Sequence, residues 1–393
     1  MKHAPEAVIT YLIVSILMLA CSADLANAQR KRGHQHKERD VKSFPLRGNL
    51  EKLSFTFQHA MPFFPKKDTV EIVFIGDVMM HKRQLEYNHD SFLEGIRARL
   101  SDADLAVANM EFTLAGKPYS GYPAFSAPDS FAGYVADCGV DVFLTANNHI
   151  LDKGKAGAER TIDIYSSMAD RVKFTGLSAD EGSDISSYPL IVPVHGIRVA
   201  FINFTYGTNS GIGKGWPKVN RMDREDVGRA FDRAHEAGAE YIVALPHWGE
   251  EYELRHSGEQ EEWAEWMAEQ GADIIIGSHP HVVQDSTSIC TPDGRKTTVF
   301  YSLGNAVSNM SAPNTRLGLI VTVRIERDIN GDTRMLEPKA EFLWCTLPDK
   351  LTDSFMTIAV ADYEGRRELW KLPSDYDNMH VTLERVKKAT GIR

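Results

Sequence analysis

The sequence predicts a layered α/β domain whose chemistry lies along one sheet edge, and three features predict it. Short runs rich in β-branched residues alternate with amphipathic helical stretches. Those runs repeatedly end in clusters of Asp, Asn, Glu and His rather than in ordinary turn residues. The composition, 43% hydrophobic and 25% charged over 393 residues, is that of a soluble globular chain with one large core and appendages. A formal net charge of -10 argues against sequence-independent binding to nucleic acid, which needs clustered Lys and Arg. An anionic polymer is repelled as well unless bound cations bridge it.

The N-terminus reads as an export signal, because Lys2 precedes an apolar run, 8–20, that is too short to span a bilayer. Ala26-Asn27-Ala28 fits signal-peptidase cleavage and makes 1–28 a signal peptide, whereas Met18-Leu19-Ala20-Cys21 is a poorer lipobox that would tether Cys21 to a membrane. Either route exports the protein, to the periplasm or the cell surface. Residues 29–69 form a basic linker and an edge segment in which 55–65 is a candidate strand. Cys21, Cys138, Cys290 and Cys345 contain no C-x-x-C pair and no disulfide scaffold, although a Cys290 to Cys345 bridge is left open.

Order begins with a strand over 70–75, which delivers Gly76-Asp77 to the sheet's carboxyl end. A single amphipathic helix is expected over 84–100. The strand over 103–108 runs into Asn109-Met110-Glu111, where Asn109 and Glu111 share a face by the period of two. After a Gly- and Pro-rich loop, 115–128, and a helix over 129–137, a third strand, 140–144, ends in Asn147-Asn148-His149. An amide oxygen beside an imidazole makes a ligand and proton-donor pair. A helix over 154–168 follows, and strands over 190–194 and 199–204 form a hairpin turning at His195-Gly196.

The loop over 205–217, with its glycines and aromatics, is a candidate rim. A helix over 223–238 starts at an Asp cap and stops at Gly238. The next strand, 241–245, delivers His247, with Glu250 and Glu251 just beyond it. A helix over 257–270 leads to the apolar run 274–276 and to Gly277-Ser278-His279-Pro280-His281, in which two imidazoles leave a rigid strand end together. The strand over 298–303 ends in Gly304-Asn305. Residues 311–393, with strands over 317–325 and 338–344 and a basic helix over 381–390, carry no ligand cluster and read as a packing or closing extension.

Asp77, Asn109, Glu111, Asn148, His149, His247, His279 and His281 thus gather at strand ends. Carboxylates, amide oxygens and neutral imidazoles suit one or two divalent ions, Mn, Fe or Zn, sharing a carboxylate, as in sites for in-line attack on phosphate esters.

Taken in order, Gly76-Asp77-x-Met79, Asn109-x-Glu111, Ala146-Asn147-Asn148-His149-Ile150-Leu151-Asp152, His247-Trp248-Gly249-x-Glu251, Gly277-Ser278-His279-Pro280-His281-Val282 and Ser302-Leu303-Gly304-Asn305 resemble the motif set of the CapA family of bacterial capsule (poly-γ-glutamate) synthesis proteins, over residues 70–310. That family is similar to the calcineurin-like metallophosphoesterases. The resemblance implies a four-layer α/β/β/α sandwich of the metallophosphoesterase type with a two-metal site. It also implies that Asp77 and His281 hold a first metal, that Glu111 bridges, that Asn148, His247 and His279 hold the second, and that His149 serves as general acid. Glu251 is a further candidate catalytic residue. One position departs from the pattern: Met79 stands where those phosphoesterases have a ligand His, and a thioether suits hard divalent ions poorly. His81 can replace that nitrogen if the chain bends sharply after Asp77.

The expected function is an exported metal-dependent hydrolase of the phosphoesterase type, in synthesis or modification of a surface polymer. Its partner would be an anionic surface polymer or a phosphorylated or lipid-linked precursor of one. A non-enzymatic polymer-binding or capsule-assembly component is the competing expectation, and amide hydrolysis or transfer at the same metals is a third.

Overall fold

The computed structural model describes residues 69–211 and 215–393, so the expected signal peptide, Cys21 and the basic linker lie outside the described residues. In chain order the strands are β1 (Thr69–Val78), β2 (Leu105–Met110), β3 (Val142–Leu144), β4 (Lys173–Thr175), β5 (Leu177–Ser178), β6 (Leu190–Val194), β7 (Ile197–Thr205), β8 (Lys218–Val219) and β9 (Tyr241–His247). They continue as β10 (Ile274–Ile276), β11 (Ser286–Cys290), β12 (Lys296–Phe300), β13 (Asn305–Val307), β14 (Leu317–Arg327), β15 (Thr333–Met335), β16 (Lys339–Thr346) and β17 (Met356–Ala359). The helices are α1 (Arg97–Ser101), α2 (Asp129–Asp137), α3 (Gly154–Ser167), α4 (Glu181–Ser187), α5 (Arg224–Glu236), α6 (Gly258–Gln270) and α7 (Pro373–Thr390).

One mixed sheet runs β17-β16-β14-β1-β2-β3-β4, with β13 added to β1 and β15 to β14, and a second runs β11-β12-β10-β9-β7-β6. Alternation along the strands explains how the sheets stack. In β1, Val70, Ile72 and Phe74 join one core together with Val199, Phe201, Val243, Leu245 and Ile274 of the second sheet. Val73 and Ile75 point the other way, into a core shared with Phe131 and Val135 of α2 and Tyr165 of α3. In the second sheet Ala200, Ile202, Ile242 and Ile275 face Val227 and Phe231 of α5 and Trp263 and Met267 of α6. The layers are therefore helices, sheet, sheet, helices, the four-layer sandwich. Each large apolar side chain withdrawn into these cores contributes about 1.5–3 kcal/mol before the cost of ordering it.

The C-terminal residues belong to the centre of this architecture. Strand β14 pairs antiparallel with β1 from Thr69↔Glu326 to Ile75↔Ile320, and β16 and β17 extend the same sheet. Helix α7 sends Met379, Leu383 and Val386 into the core between the sheets. The hairpin at His195-Gly196 forms as expected, with both residues at positive φ (47° and 84°).

One expectation is corrected and one open question is closed. The single helix over 84–100 is broken into 3-10 turns (Lys82–Glu86, His89–Ser91 and Glu94–Ile96) before the short α1. The cause is local polar competition joined to tertiary contact: Asn88 accepts from the Asp90 amide, Ser91 Oγ donates to Phe355 O at 2.9 Å, and Gly95 lies against the Thr357 carbonyl. Cys290 and Cys345 are both free, the first exposed on β11 of the second sheet and the second buried in β16 of the first. A bridge between them does not form.

Candidate metal centre

The site is built where parallel strands end together, because each strand releases its first polar residues at the same sheet edge. Strand β1 carries Asp77 as its penultimate residue, fully buried, and the Asp77 amide donates to Gly304 O at 2.9 Å. Gly76 is required there, since a Cβ would strike the Gly304 carbonyl. Asp77 Oδ1 accepts from Asn109 Nδ2 at 2.7 Å, and Oδ2 lies 3.1 Å from His281 Nδ1. Strand β2 brings Asn109 and then Glu111, also fully buried. Asn109 ties the two strand ends together, reaching Glu111 Oε2 at 3.4 Å and His247 Nδ1 at 3.3 Å.

The loop after β3 is held by Asn203, whose Oδ1 accepts from the Thr145 and Ala146 amides at 3.2 and 2.8 Å. That places Asn148 Oδ1 3.0 Å from His247 Nε2, and His149 Nδ1 2.7 Å from Asp152 Oδ2. After β10, Gly277 packs against Tyr301 O and Trp248 Nε1, leaving no room for a side chain. His279 and His281 then adopt positive φ, 102° and 57°. Backbone strain of about 1–3 kcal/mol per residue persists where surrounding structure imposes it, commonly at functional sites.

Three donor sets result: Asp77, Glu111 and His281; Glu111, His247 and His279; and Glu251, His279 and His281, each with donor atoms within 4.8 Å of one another. Glu111 is common to two of them. Its Oε1 lies 3.6 Å from His281 Nε2 and 4.0 Å from His247 Nε2. That oxygen has no hydrogen-bond partner despite being buried, nor has His279 Nδ1. Unpartnered buried polar atoms are costly in a native interior.

The electrostatics point the same way. Burial, then the neighbouring Asp77 and Glu251 charges, holds the Glu111 carboxyl well above the usual range. Burial, reinforced by His279 and His281, pushes His247 well below its usual range. Burial and His281 push His279 down to about 3. For His281 burial opposes the charge, but the hydrogen bond and charge of Asp77 outweigh it and raise the group. Crowded carboxylates lacking a counter-charge, neutral imidazoles and orphaned donor atoms fit a divalent cation.

The structure gathers Asp77, Glu111, Asn148, His247, His279 and His281 into one cluster, with Glu251 at its exposed margin and His149 beside it. His81 does not enter any of the donor sets. The chain turns into the 3-10 segment directly after it, and its ring lies edge-on to Phe125 at 5.4 Å, with Nε2 3.4 Å from Ser308 Oγ. Burial, with His281 and His149 nearby, pushes it down to about 4. Met79 is 2% exposed and packs in the core beneath the first sheet, so it presents no donor to the cleft. Two residues escaped the sequence reading. Asp152 was visible only as part of a motif, three residues after His149. Tyr206, on the candidate rim, places its ring 4.6 Å from that of His279, and its signal in the sequence was only that of a loop aromatic.

The chain is 28% identical over 271 residues to the capsule biosynthesis protein CapA of Bacillus anthracis, covering 65% of this chain and 64% of that protein. It therefore spans slightly less than two thirds of that relative. It is 26% identical over 279 residues to the PGA biosynthesis protein CapA of Bacillus subtilis (strain 168), covering 67% of this chain and 70% of that one. Among solved structures it is similar to the Haemophilus influenzae NAD nucleotidase (12% identity, TM-score 0.45, 71% of this chain and 58% of that one). It is also similar to a 5'-nucleotidase precursor from Thermus thermophilus (16% identity, TM-score 0.43, 81% of this chain and 58% of that one). The bacterial capsule synthesis protein family PGA_cap matches residues 71–310, a span containing every donor residue described above, and the chain belongs to that family.

Proposed function

We propose that the protein is an exported metal-dependent hydrolase of phosphoesters that acts in making or modifying a surface polymer. The observation that carries this reading is Glu111, a buried carboxylate shared by two donor sets with one oxygen unpartnered, next to a His149–Asp152 pair. Asp77, Glu111 and His281 would hold one divalent ion, and Glu111, Asn148, His247 and His279 a second. A bound transition metal supplies Lewis-acid polarisation of a phosphoryl oxygen.

The chain's own residues do the rest. Asp152, whose Oδ2 also accepts the Phe125 amide at 2.8 Å, fixes the His149 ring through Nδ1. With Nδ1–H bound to the carboxylate, Nε2, which has the Asn209 Nδ2 amide 3.5 Å away, is the ring atom left to carry a proton to a leaving oxygen, and Asp152 stabilises the imidazolium that precedes the transfer. Phe125, edge-on to His149 at 4.7 Å, shields the pair from water. Glu251, exposed but within reach of His279 and His281, is placed to orient a ligand or accept a proton at the cleft mouth. The named roles of the relatives suggest a phosphorylated or lipid-linked precursor of an anionic polymer such as poly-γ-glutamate as the substrate.

The test is to purify the protein, count bound metal by mass spectrometry, and assay phosphomonoesters, phosphodiesters and γ-glutamyl amides with added manganese or zinc. At least one transition metal per chain and metal-dependent phosphoester turnover are expected. A folded protein that takes up no metal and turns over nothing would establish a polymer-binding component instead, and turnover of the amides alone would move the chemistry to carbonyl transfer.

A further inference from the structure

We propose that the cavity beside the donor sets selects a phosphoester whose organic group carries an alkylammonium cation. This rests on the hydrolase reading and names the substrate class within it. The cavity has a volume of about 380 Å³ and is lined chiefly by Tyr206, Met222, Glu250, Glu251, Glu259 and His279. That volume is in the range of small-molecule sites. His279 belongs both to this cavity and to two donor sets, so the cavity opens directly beside the place where ions bound by those donors would hold a phosphoryl group, and it is the space offered to an organic substituent.

The lining decides what that substituent is. Three glutamates face the space, and among the described residues no Lys or Arg lines it. Glu250 and Glu259 are exposed. Glu259 sits in the first turn of α6, at the mouth of the cavity. Tyr206 is 47% exposed, and its ring is stacked at 10° to that of His247 and lies 4.6 Å from that of His279, at the junction of donors and cavity. Carboxylates beside a fixed aromatic face form the surroundings in which an organic ammonium is bound by Coulomb attraction and by the ring quadrupole together. A chain of γ-glutamyl carboxylates would bring like charges against all three glutamates and be rejected. A neutral sugar gains hydrogen bonds there but no Coulombic attraction.

The experiment compares p-nitrophenyl phosphorylcholine with p-nitrophenyl 3,3-dimethylbutyl phosphate, in which carbon replaces the ammonium nitrogen, on the metal-loaded protein. Binding of phosphocholine and 3,3-dimethylbutyl phosphate is measured in parallel by titration calorimetry. The cationic member of each pair should be preferred by about tenfold or more. Glu250→Gln combined with Glu259→Gln should remove that preference while the variant still melts cooperatively and turns over the neutral ester at the parent's rate. Equal affinity for the two phosphates, or tighter binding of a hexose phosphate or an oligo-γ-glutamate than of phosphocholine, would overturn the proposal. A binding preference without hydrolysis of either ester would sink the hydrolase reading and leave the cation site standing.

Discussion

At the scale of single residues, the decisive pair is His149 and Asp152. Their side chains are almost wholly buried and separated by 2.7 Å, so the carboxylate sets both the tautomer and the direction of the ring. Asp152→Asn should keep the metal content of the parent, because Asp152 is outside the donor sets, and should lower kcat by roughly a hundredfold. KM should move little. Loss of metal in that variant, measured by mass spectrometry, would show Asp152 to be a support of the metal cluster instead. Which residues cluster here was largely legible in the chain, because ligand-type residues recur directly after apolar runs and strand ends converge at one sheet edge. Asp152 was not, since three residues of spacing in a loop do not reveal a side-chain contact. Nor was the fate of Met79: alternation along an extended strand puts it on the Asp77 side, whereas the bulge at the end of β1 lets its side chain turn into the apolar core.

At the scale of elements, periodicity found β1, the His195-Gly196 hairpin, α5 and α6, whose caps lie in the sequence as Asp223 and Ser257. It failed over 84–100, where apolar spacing suggests a helix but side chains bonding their own backbone and the docking of Gly95 on Thr357 decide otherwise. One element carries its own pH dependence. Asp273, at the entry to β10, accepts the Ile242 amide at 2.8 Å, and burial pushes its carboxyl up to about 6 against the favourable pull of that amide, Arg295 and His235. Because its folded value lies above the unfolded one of about 3.9, it favours the folded state while protonated. Stability from this group is therefore full below about pH 4 and is lost as pH rises to about 6. Asp273→Asn keeps an acceptor for Ile242 without the charge. It should stabilise the protein at pH 8 by at most about 3 kcal/mol and hardly at all at pH 4, by urea unfolding at the two values. An equal effect at both would mean that the charge of Asp273 is not what burial opposes.

At the scale of the whole molecule, the family match ends at residue 310, yet the sheet that carries Asp77 does not. Strand β1 lies between β2 and β14, and β14 is in the part of the chain that reads as an extension when only its lack of ligand residues is considered. The same part supplies Trp344, with the Arg316 guanidinium 4.3 Å above its ring, and Asp375, which accepts both Arg316 nitrogens at 2.7 and 2.8 Å. It also supplies the α7 residues that fill the space between the sheets. Ending the chain at 310 would leave β1 as an unpaired, apolar edge and empty one side of the inter-sheet core. Asp77 would keep its pairings to Asn109 of β2 and Asn305 of β13, but β13 packs on β14 as well as on β1, so the support that fixes Asp77 relative to His281 would be weakened on that side. A chain ending at residue 310 should therefore be insoluble or molten, with no cooperative thermal transition and no metal uptake, while the chain extended to residue 393 folds and takes up metal. Coexpression of residues 311–393 as a separate piece should restore part of the soluble fraction, because the missing contacts are strand pairings and buried apolar surface rather than a covalent requirement. A truncated chain that melts cooperatively and binds metal with the stoichiometry of the full protein would show that β14, β16 and α7 only decorate a sheet already stable without them.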